Sequence, residues 1–421
     1  MSCEIAELPD VETGSSFPTP GLPAFEELCA KLFSSPTLLI RKGPLPVVFR
    51  NEDLRAISAL PGVGAPSPAF FDKTSFTFSD ATGRIFANSL SELIGNQFIS
   101  ANPPIHGPVR KVLAPHLMPR SVAHLEPVAA RIAAEVAGEL SAADEFEFCE
   151  TFAAPLAARF FGEFLGMTSA EIDQVAQHIY DLSPMFLRDK SAAELTAADR
   201  ASRAYIDLII SVVERGLSSN RRSLFHEMAT ELAAIQLPSD PNSHGIVPSS
   251  LGLLLAANLM DAFHTAGVAA ATTVFMLLMH PHYCEKVRAD KTLVRPAVHE
   301  ALRLLSPLTV TLKVALHPIE FGGVRIPADT PIVMLWAVGN RDPSCFETPN
   351  DYKLERSHRF ESTFGGGAHI CPGRFVADMV SQVTVREVLK HDWTLAAHPE
   401  FIGRSILSQV RSLRIRSQRT H

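Results

Sequence analysis

Apolar residues recur along most of the chain at intervals of three and four positions, the spacing of one face of an α-helix. This spacing predicts helices over 120–141, 146–166, 169–181, 195–217, 249–279, 293–304 and 372–390. Strand-like patterns are confined to the short pieces 45–50, 319–321, 324–326 and 331–336. Gly322-Gly323, between the two middle pieces, is a hairpin signal. The pattern predicts a mainly α protein with a small β portion.

No Gly/Ser linker, internal repeat or low-complexity tract divides the 421 residues. Length alone would suggest about two or three domains. Because nothing in the composition marks a boundary, we expect a single domain over 21–421 and a loose N-terminal tail over 1–20. The segment 238–245, Pro-Ser-Asp-Pro-Asn-Ser-His-Gly, predicts an exposed loop within that domain.

The net charge of −7 and the pI near 6.1 argue against nucleic acid as a partner. The first residues carry acids and no apolar core, so they do not resemble a signal peptide. The longest apolar run contains Asn258, Asp261 and His264, which would be costly in the middle of a bilayer. We therefore expect a buried helix there and no membrane span.

The six cysteines are scattered, without metal-site spacing and without a Cys-x-x-Cys pair. With no export signal, a reduced environment and a cytoplasmic location are expected. Five of the six are interpreted as ordinary thiols, and Cys371 is the exception.

Residues 364–373, Phe-Gly-Gly-Gly-Ala-His-Ile-Cys-Pro-Gly, combine a glycine-rich turn with a cysteine placed before a predicted helix. Pro is favoured in the first turn of a helix, so Cys371 is expected at or beside the N-cap. The helix dipole lowers the pKa of such a thiol and favours its thiolate. A phosphate-binding loop does not fit, because the Gly-Lys-Ser/Thr ending is absent. A buried structural thiol is the alternative.

The spacing Phe-x-x-Gly-x-His-x-Cys-x-Gly resembles that of the cytochrome P450 family, and all five fixed positions match: Phe364, Gly367, His369, Cys371 and Gly373. The resemblance extends from about residue 40 to the end of the chain. It implies the cytochrome P450 fold, with haem b (iron protoporphyrin IX) buried between the long central helix and the loop that carries the cysteine. It also implies that the Cys371 thiolate is the axial ligand of the iron.

The same resemblance implies further contacts to the haem. Its propionates would meet His106 and Arg110, which lie one helical turn apart, and also Lys313 and His369. Lys313 stands where the family usually has Arg, which keeps the charge and loses the bidentate fork. Ala262 matches the small residue where the long helix passes the iron.

The family's oxygen-activating segment falls on 261–267 in this chain. Thr265 matches the usual alcohol, whereas His264 replaces the usual acid. His can relay protons near neutral pH, and Asp261 lies one turn before Thr265 on the same helix face. An Asp261–His264–water chain is therefore one hypothesis, and a core histidine is the other. Distal ligation of iron by His264 is disfavoured, because adjacent residues do not share a helix face.

Glu300 and Arg303 are three residues apart, on one face of a predicted helix. One interpretation is an ordinary solvent-exposed ion pair. Their place before the cysteine motif resembles the family's buried Glu–Arg scaffold. The family's second Arg is replaced by Asp351 at the matching position, so Arg303 is expected between the carboxylates of Glu300 and Asp351.

Phenylalanine is abundant, with 26 residues against 4 Tyr and 2 Trp. A cluster precedes His106, where the family has a loop over the substrate pocket; it comprises Phe70, Phe71, Phe76, Phe78 and Phe86. Apolar aromatic lining suits a hydrophobic or aromatic small molecule. The loop 70–100, together with Asn258 and Phe263 of the long helix, supplies the candidates for specificity. Many of the phenylalanines are expected simply to fill the core.

The resemblance implies a monooxygenase that takes electrons from outside, from a ferredoxin or flavodoxin and its NAD(P)H reductase. A monomer is expected. The donor would dock near Cys371, where basic residues such as Arg110, Lys111, Arg120 and Arg374 could meet an acidic surface. Two alternatives stay open. One is a haem-thiolate enzyme that uses peroxide or rearranges its substrate without a redox partner, and the other is a non-catalytic haem-binding sensor or carrier.

Overall fold

The structure is a computed structural model. It describes residues 3–11, 17–66, 89–187, 190–218, 224–235, 251–356, 361–403 and 406–417. The predicted loop 238–245 lies outside the described residues, and so do Phe70, Phe71, Phe76, Phe78 and Phe86.

Helices dominate the described residues. They are α1 (Pro23–Phe33), α2 (Asn51–Ser58), α3 (Ser89–Gly95), α4 (His106–His116), α5 (Pro119–Val122), α6 (Glu126–Glu139), α7 (Ala154–Leu165), α8 (Ser169–Leu182), α9 (Ala192–Ser218), α10 (Leu224–Ala233), α11 (Leu251–Leu278), α12 (Pro281–Ala289), α13 (Val294–Leu304), α14 (Trp336–Gly339) and α15 (Arg374–Val388).

The strands are short. They are β1 (Cys3–Glu4), β2 (Leu39–Lys42), β3 (Leu45–Val48), β4 (Val63–Gly64), β5 (Glu145–Glu147), β6 (Thr311–Ala315), β7 (Ile319–Phe321), β8 (Val324–Ile326), β9 (Pro331–Met334), β10 (Trp393–Leu395), β11 (Glu400–Phe401), β12 (Val410–Ser412) and β13 (Arg414–Ser417). The prediction of a mainly α protein with a small β portion is confirmed.

The predicted helix 120–141 is divided into α5, a 3-10 turn over Ala123–Leu125 and α6, and the predicted helix 146–166 is divided as well. Strand β5 covers its start, a π-helical turn follows over Cys149–Ala153, and α7 begins only at Ala154, with Pro155 in its first turn. Gly166 then ends α7 in the left-handed conformation, at φ 72°, which glycine adopts without steric cost. Apolar periodicity does not separate a π-turn from an α-turn, so the division was not visible in the pattern.

Contacts divide the chain into two compact units. The first comprises 1–66, 268–374 and 388–421. Its largest sheet has the strand order β2-β3-β9-β6-β4, with β3 and β9 parallel. Buried apolar side chains, including Val47, Phe49 and Val333, form a core on this sheet. The predicted Gly-Gly hairpin is present, with β7 antiparallel to β8.

The described part of the expected N-terminal tail belongs to this unit and differs from the expectation. Strand β1 pairs in parallel with β8. Leu8 and Val11 are buried, and the Arg41 guanidinium lies 2.6 Å from the Asp10 carboxylate. Short tails gain order when their few apolar residues find a core. That residues 21–421 form one domain stays a prediction.

The second unit comprises 67–267 and 375–387 and is helical. Thr168 and Glu171 form a capping box at the start of α8. Arg215 of α9 forms two hydrogen bonds with the Glu171 carboxylate, at 2.7 and 2.8 Å. The hydroxyl of Tyr205, also in α9, donates to the Ala256 carbonyl of α11 at 3.0 Å. Polar contacts of this kind fix the helices of the unit against one another.

Helix α11 is long and apolar enough to cross a membrane by length and composition, and 67% of its most apolar window is buried within the protein. That burial agrees with the buried helix expected from the sequence.

Candidate active site

The glycine-rich turn before Cys371 lies against helix α2. Gly365 and Gly367 have φ values of 74° and 66°, which side-chain-bearing residues rarely adopt. A Cβ at Gly367 would overlap the carbonyl oxygen of Ser58. The backbone conformation therefore favours glycine at both positions, and the close approach to Ser58 requires it at Gly367.

The turn closes on itself around Cys371. The Cys371 N–H donates to the Phe364 carbonyl at 3.0 Å, and the Arg374 guanidinium donates to the Cys371 carbonyl at 3.1 Å. Cys371 and Gly373 are half-buried. A Cβ at Gly373 would lie 4.0 Å from the Cys371 sulfur, an ordinary van der Waals distance, so the two residues are neighbours in this turn.

Helix α15 begins at Arg374 and ends at Val388, two residues inside each predicted end. Cys371 therefore precedes the helix by three residues and is not its N-cap, which corrects the sequence-based placement. Pro372 lies in the turn that leads into the helix. Helix ends read from a sequence are uncertain by one or two residues, since the end is set by turn geometry.

Lys313 provides the test of whether a haem carboxylate fits. It lies in the middle of β6, only 5% exposed. Burial lowers the pKa of its ammonium group to about 8. No ion pair to this ammonium is formed by the residues that the structure describes. A buried cation needs a counter-charge, so an anionic group of a cofactor matches the chemistry of this position.

The other predicted propionate contacts lie on two elements. His106 is buried at the start of α4, and its ring stacks on Phe98 at 4.4 Å between centroids. Arg110 follows one turn later in α4 and is half-buried. His369 ends a short 3-10 turn and is half-buried. Phe364, His369, Cys371 and Gly373 thus lie in one turn, and their contact with haem stays a prediction.

On α11 the predicted catalytic residues share a less buried strip. Asp261, Ala262, His264 and Thr265 are half-buried, whereas Met260, Phe263 and Ala266 are buried. The Thr265 hydroxyl donates to the backbone carbonyl of Asp261 at 2.6 Å. Its oxygen lone pairs stay available to accept a further hydrogen bond.

The Asp261 carboxyl accepts a hydrogen bond from the side-chain amide of Gln97 at 2.9 Å. Burial raises the pKa of this carboxyl to about 7, and the Gln97 hydrogen bond opposes the rise. A carboxyl that titrates near neutrality can both give and take a proton under ordinary conditions. His264 stacks on Phe186, with ring centroids 4.7 Å apart and an interplanar angle of 19°.

The helix candidates for specificity have other contacts. Asn258 accepts from the Phe98 N–H at 2.7 Å and donates to the Leu254 carbonyl at 2.6 Å. Phe263 is buried against Phe161, with ring centroids 5.2 Å apart. Asn258 thus hydrogen-bonds and Phe263 packs within the second unit, and a part in specificity stays a prediction for both.

The buried Glu–Arg pair is present, but its third member is not the one expected. Arg303 forms two hydrogen bonds of 2.8 Å with the Glu300 carboxylate, and both side chains are fully buried. Arg356 supplies a second guanidinium to Glu300 at 2.9 Å. The Asp351 side chain points to Lys353, at 3.5 Å, and only the Asp351 backbone carbonyl accepts from Arg303. The expectation that Arg303 lies between two carboxylates was wrong.

Sequence reasoning missed Arg356 and Gln97. Arg356 lies five residues after Asp351 in the same loop, so the cation was displaced and not lost. A search for the next basic residue along the loop would have found it. No local signal marks Gln97, because its partner Asp261 lies 164 positions away.

The chain is similar to known proteins. The family model described as Cytochrome P450 matches residues 161–395. The chain is 26% identical over 326 residues to 6-deoxyerythronolide B hydroxylase of Saccharopolyspora erythraea, covering 77% of this chain and 74% of the relative. It is 26% identical over 301 residues to cytochrome P450 monooxygenase PikC of Streptomyces venezuelae, covering 70% of this chain and 69% of the relative.

Solved structures share the fold. The structure of CalO2 superposes with a TM-score of 0.79 at 21% identity, covering 93% of this chain and 96% of that one. P450BioI, crystallised with an acyl carrier protein that carries hexadec-9Z-enoic acid, superposes with a TM-score of 0.78 at 20% identity, covering 93% and 98%. At these identities the likeness shows the fold alone.

Proposed function

The chain belongs to the cytochrome P450 family, and we propose that it is a haem-thiolate monooxygenase that oxidises a hydrophobic small molecule with dioxygen. Haem and iron binding follow from the family, and relatives are named as hydroxylases and monooxygenases, which are oxidoreductases. The observation that carries the proposal is the closed turn around Cys371. It holds all five motif positions, with the Cys371 N–H bonded back to the Phe364 carbonyl and a glycine at 367 that the approach to Ser58 requires.

In this proposal Cys371 ligates the iron as its thiolate. Lys313, His106, Arg110 and His369 hold the propionates, and the buried ammonium of Lys313 is the best supported of them. Phe364, Gly373 and Ala262 give the porphyrin room. When bound, the haem supplies the activation of dioxygen, and a thiolate ligand favours cleavage of the O–O bond.

In this proposal the protein's own residues supply the protons. Thr265 keeps its hydroxyl oriented by donating to the carbonyl of Asp261. Asp261 holds a proton near neutral pH because its carboxyl is buried. His264 is the second titratable group of the strip, and its stacking on Phe186 fixes the plane of its ring. We assign proton delivery to Asp261 and His264, and orientation of the acceptor to Thr265.

Electrons come from a ferredoxin or flavodoxin and its NAD(P)H reductase, as is general among bacterial members of the family. The substrate class rests on the sequence, through the cluster of phenylalanines that precedes His106 and through Phe263 of the long helix. A cytoplasmic location and a monomeric state stay predictions from the sequence.

The test is reconstitution of the purified holoenzyme with a ferredoxin, its reductase and NAD(P)H. Compounds are first screened for displacement of the iron-bound water, read as a shift of the haem spectrum. Isotopically labelled dioxygen should then place one labelled atom in the product of a binding compound. Consumption of NAD(P)H that no compound stimulates, with no labelled product, would contradict the proposal.

A peroxide-using enzyme is the second candidate, and the replacement of the usual acid by His264 favours it. Thr265 argues against it, because an alcohol at this position serves dioxygen chemistry. Hydrogen peroxide supplied in place of the reductase separates the two. Faster product formation with peroxide than with the complete electron-transfer system would favour the second candidate.

A further inference from the structure

A short segment between α3 and α4 is fastened along helix α11 by three hydrogen bonds. Asn258 accepts from the Phe98 N–H at 2.7 Å and donates to the Asn96 carbonyl at 3.4 Å. One turn later, Asp261 accepts from the Gln97 amide at 2.9 Å. Residues three apart lie on one helix face, so both helix residues hold the same segment. The position of the Gln97 amide is therefore set by the backbone on either side of it.

Gln97 is itself buried, with 9% of its surface exposed. A hydrogen bond from a neutral amide to a carboxylate is stronger in a desolvated place than in water. It stabilises the ionised form of Asp261 and lowers its pKa, whereas burial raises it. These two opposing effects leave the pKa of the carboxyl at about 7.

The surroundings of the carboxyl contain few other charges. On α9, Tyr205 faces it and is affected by its charge, and the Tyr205 hydroxyl donates to the Ala256 carbonyl. On α11 itself, His264 lies one turn further along. Among the described residues, no basic side chain contributes to the pKa of Asp261. The amide of Gln97 is therefore the group that opposes burial.

A small cavity adjoins the segment. It is lined by Asn96, Gln97, Phe98, Ala101, Ile105, Val109 and Leu254. A space of this kind holds about one water, and Gln97 is one of the polar groups that would bind it. Gln97 thus lines this cavity and also donates to the Asp261 carboxyl.

We propose that Gln97 is a positioning residue for proton delivery, which orients the Asp261 carboxyl and favours its ionised form. The carboxyl can then lose a proton and take up another in each turnover. The inference rests on the proposed function, because the protons are those that each turnover consumes. They are taken up together with electrons from the external donor while the second oxygen atom of dioxygen leaves as water. Asp261 gives its proton on the side of Thr265 and regains one from solvent.

The experiment is an infrared titration of the ferric, substrate-free holoenzyme. The carbonyl band of the protonated Asp261 carboxyl is assigned by its loss in Asp261→Asn. Its midpoint should lie near pH 7 in the wild type. In Gln97→Met, which keeps the shape and removes the donor, the midpoint should rise by about one pH unit or more, the effect of losing one hydrogen bond to a carboxylate.

A second variant guards against misfolding. Gln97→Glu is nearly isosteric and places a second carboxyl beside the first, so the pair should titrate in two steps, one of them above the wild-type midpoint. The matched control is Gln177→Met, which removes an exposed amide-to-carboxylate hydrogen bond of 3.0 Å to Asp181. It should leave the midpoint unchanged.

The pH profile of product formed per electron is a second measurement. It would not change if Gln97 had only a structural role. Its midpoint should shift upward in Gln97→Met by the same amount as the infrared midpoint. An infrared midpoint in folded Gln97→Met within about 0.2 pH units of the wild type would overturn the inference. The titration needs no turnover, so it stays readable even if the proposed monooxygenation fails.

Discussion

At the scale of single residues, Lys313 shows how one departure from a family pattern creates a measurable property. Arginine stays charged at any ordinary pH, whereas a buried lysine does not. Burial lowers the pKa of Lys313 to about 8, and the residue lies in the middle of a strand where it cannot reach water. A carboxylate placed beside it favours the charged form, so binding of an anion takes up a proton above about pH 8.

Haem affinity should therefore decrease as the pH rises above about 8, by up to about tenfold per pH unit. Titration of the cofactor-free protein with haem, followed by absorption, measures this. Lys313→Arg should flatten the dependence and keep the affinity, and Lys313→Met should flatten it at lower affinity. An equally steep decrease in Lys313→Arg would mean that another group is responsible.

In the cofactor-free protein, the free energy of unfolding should change with pH in the direction opposite to that of haem affinity. The unfolded chain binds this proton more tightly than the folded one, because the folded pKa is depressed from 10.5. The free energy of unfolding should therefore rise with pH between about 8 and 10.5 through this group. Lys313→Met removes that contribution, and urea unfolding at several pH values measures the difference.

Thr265 makes a second prediction at this scale. Thr265→Ala should leave haem binding intact, because among the described residues the hydroxyl bonds only the helix backbone. Product formed per electron should decrease and release of hydrogen peroxide should rise, since the acceptor is no longer oriented. The ratio of product to NAD(P)H measures this. An unchanged ratio would contradict the role assigned to the hydroxyl.

At the scale of elements, the buried network joins helix α13 to the loop that follows α14. Glu300 receives two guanidinium groups, those of Arg303 and Arg356, and also the Lys353 N–H at 3.1 Å. Arg303 in turn donates to the backbone carbonyls of Asn340 and Pro349, both at 2.7 Å. A fully buried carboxylate is tolerated only with this degree of pairing.

Arg303→Met should destabilise the protein by about 3–5 kcal/mol, because it leaves a buried charge without its main partner. Arg356→Met should cost about 1–3 kcal/mol, since Glu300 keeps Arg303. Asp351→Asn should change stability by less than about 0.5 kcal/mol, because the Asp351 side chain is exposed and faces Lys353. Urea unfolding of the three variants measures the order of their effects on the free energy of unfolding. A larger effect for Asp351→Asn than for Arg356→Met would restore the arrangement expected from the sequence.

The elements also show what could be predicted from the sequence. Long amphipathic helices such as α8 and α9, and the hairpin β7–β8, follow from local periodicity and turn chemistry. The five motif positions around Cys371 are local too, so the sequence alone identifies them. Contacts between distant positions do not follow from local patterns, and the Gln97 amide meets the Asp261 carboxyl across 164 positions. Arg356 contacts Glu300 across 56 positions, and only its place in the loop after Asp351 could have indicated it.

At the scale of the whole molecule, membership of the family explains why a chain with 26% identity to its relatives keeps a common fold. The fold is specified by apolar patterns that many sequences satisfy. Chemistry depends on few residues, and here His264 and Lys313 depart from the family pattern. The activity class therefore follows from the family, whereas the pH behaviour and substrate belong to this chain.

The most direct test of the central claim is the spectrum of the reduced holoenzyme under carbon monoxide. Ligation by the Cys371 thiolate predicts the red-shifted absorption that sulfur coordination gives to the complex. Cys371→Ser should lose that shift, while Cys149→Ser, at a half-buried cysteine of the second unit, should keep it. Absence of the shifted band in the wild type, or its persistence in Cys371→Ser, would contradict the account.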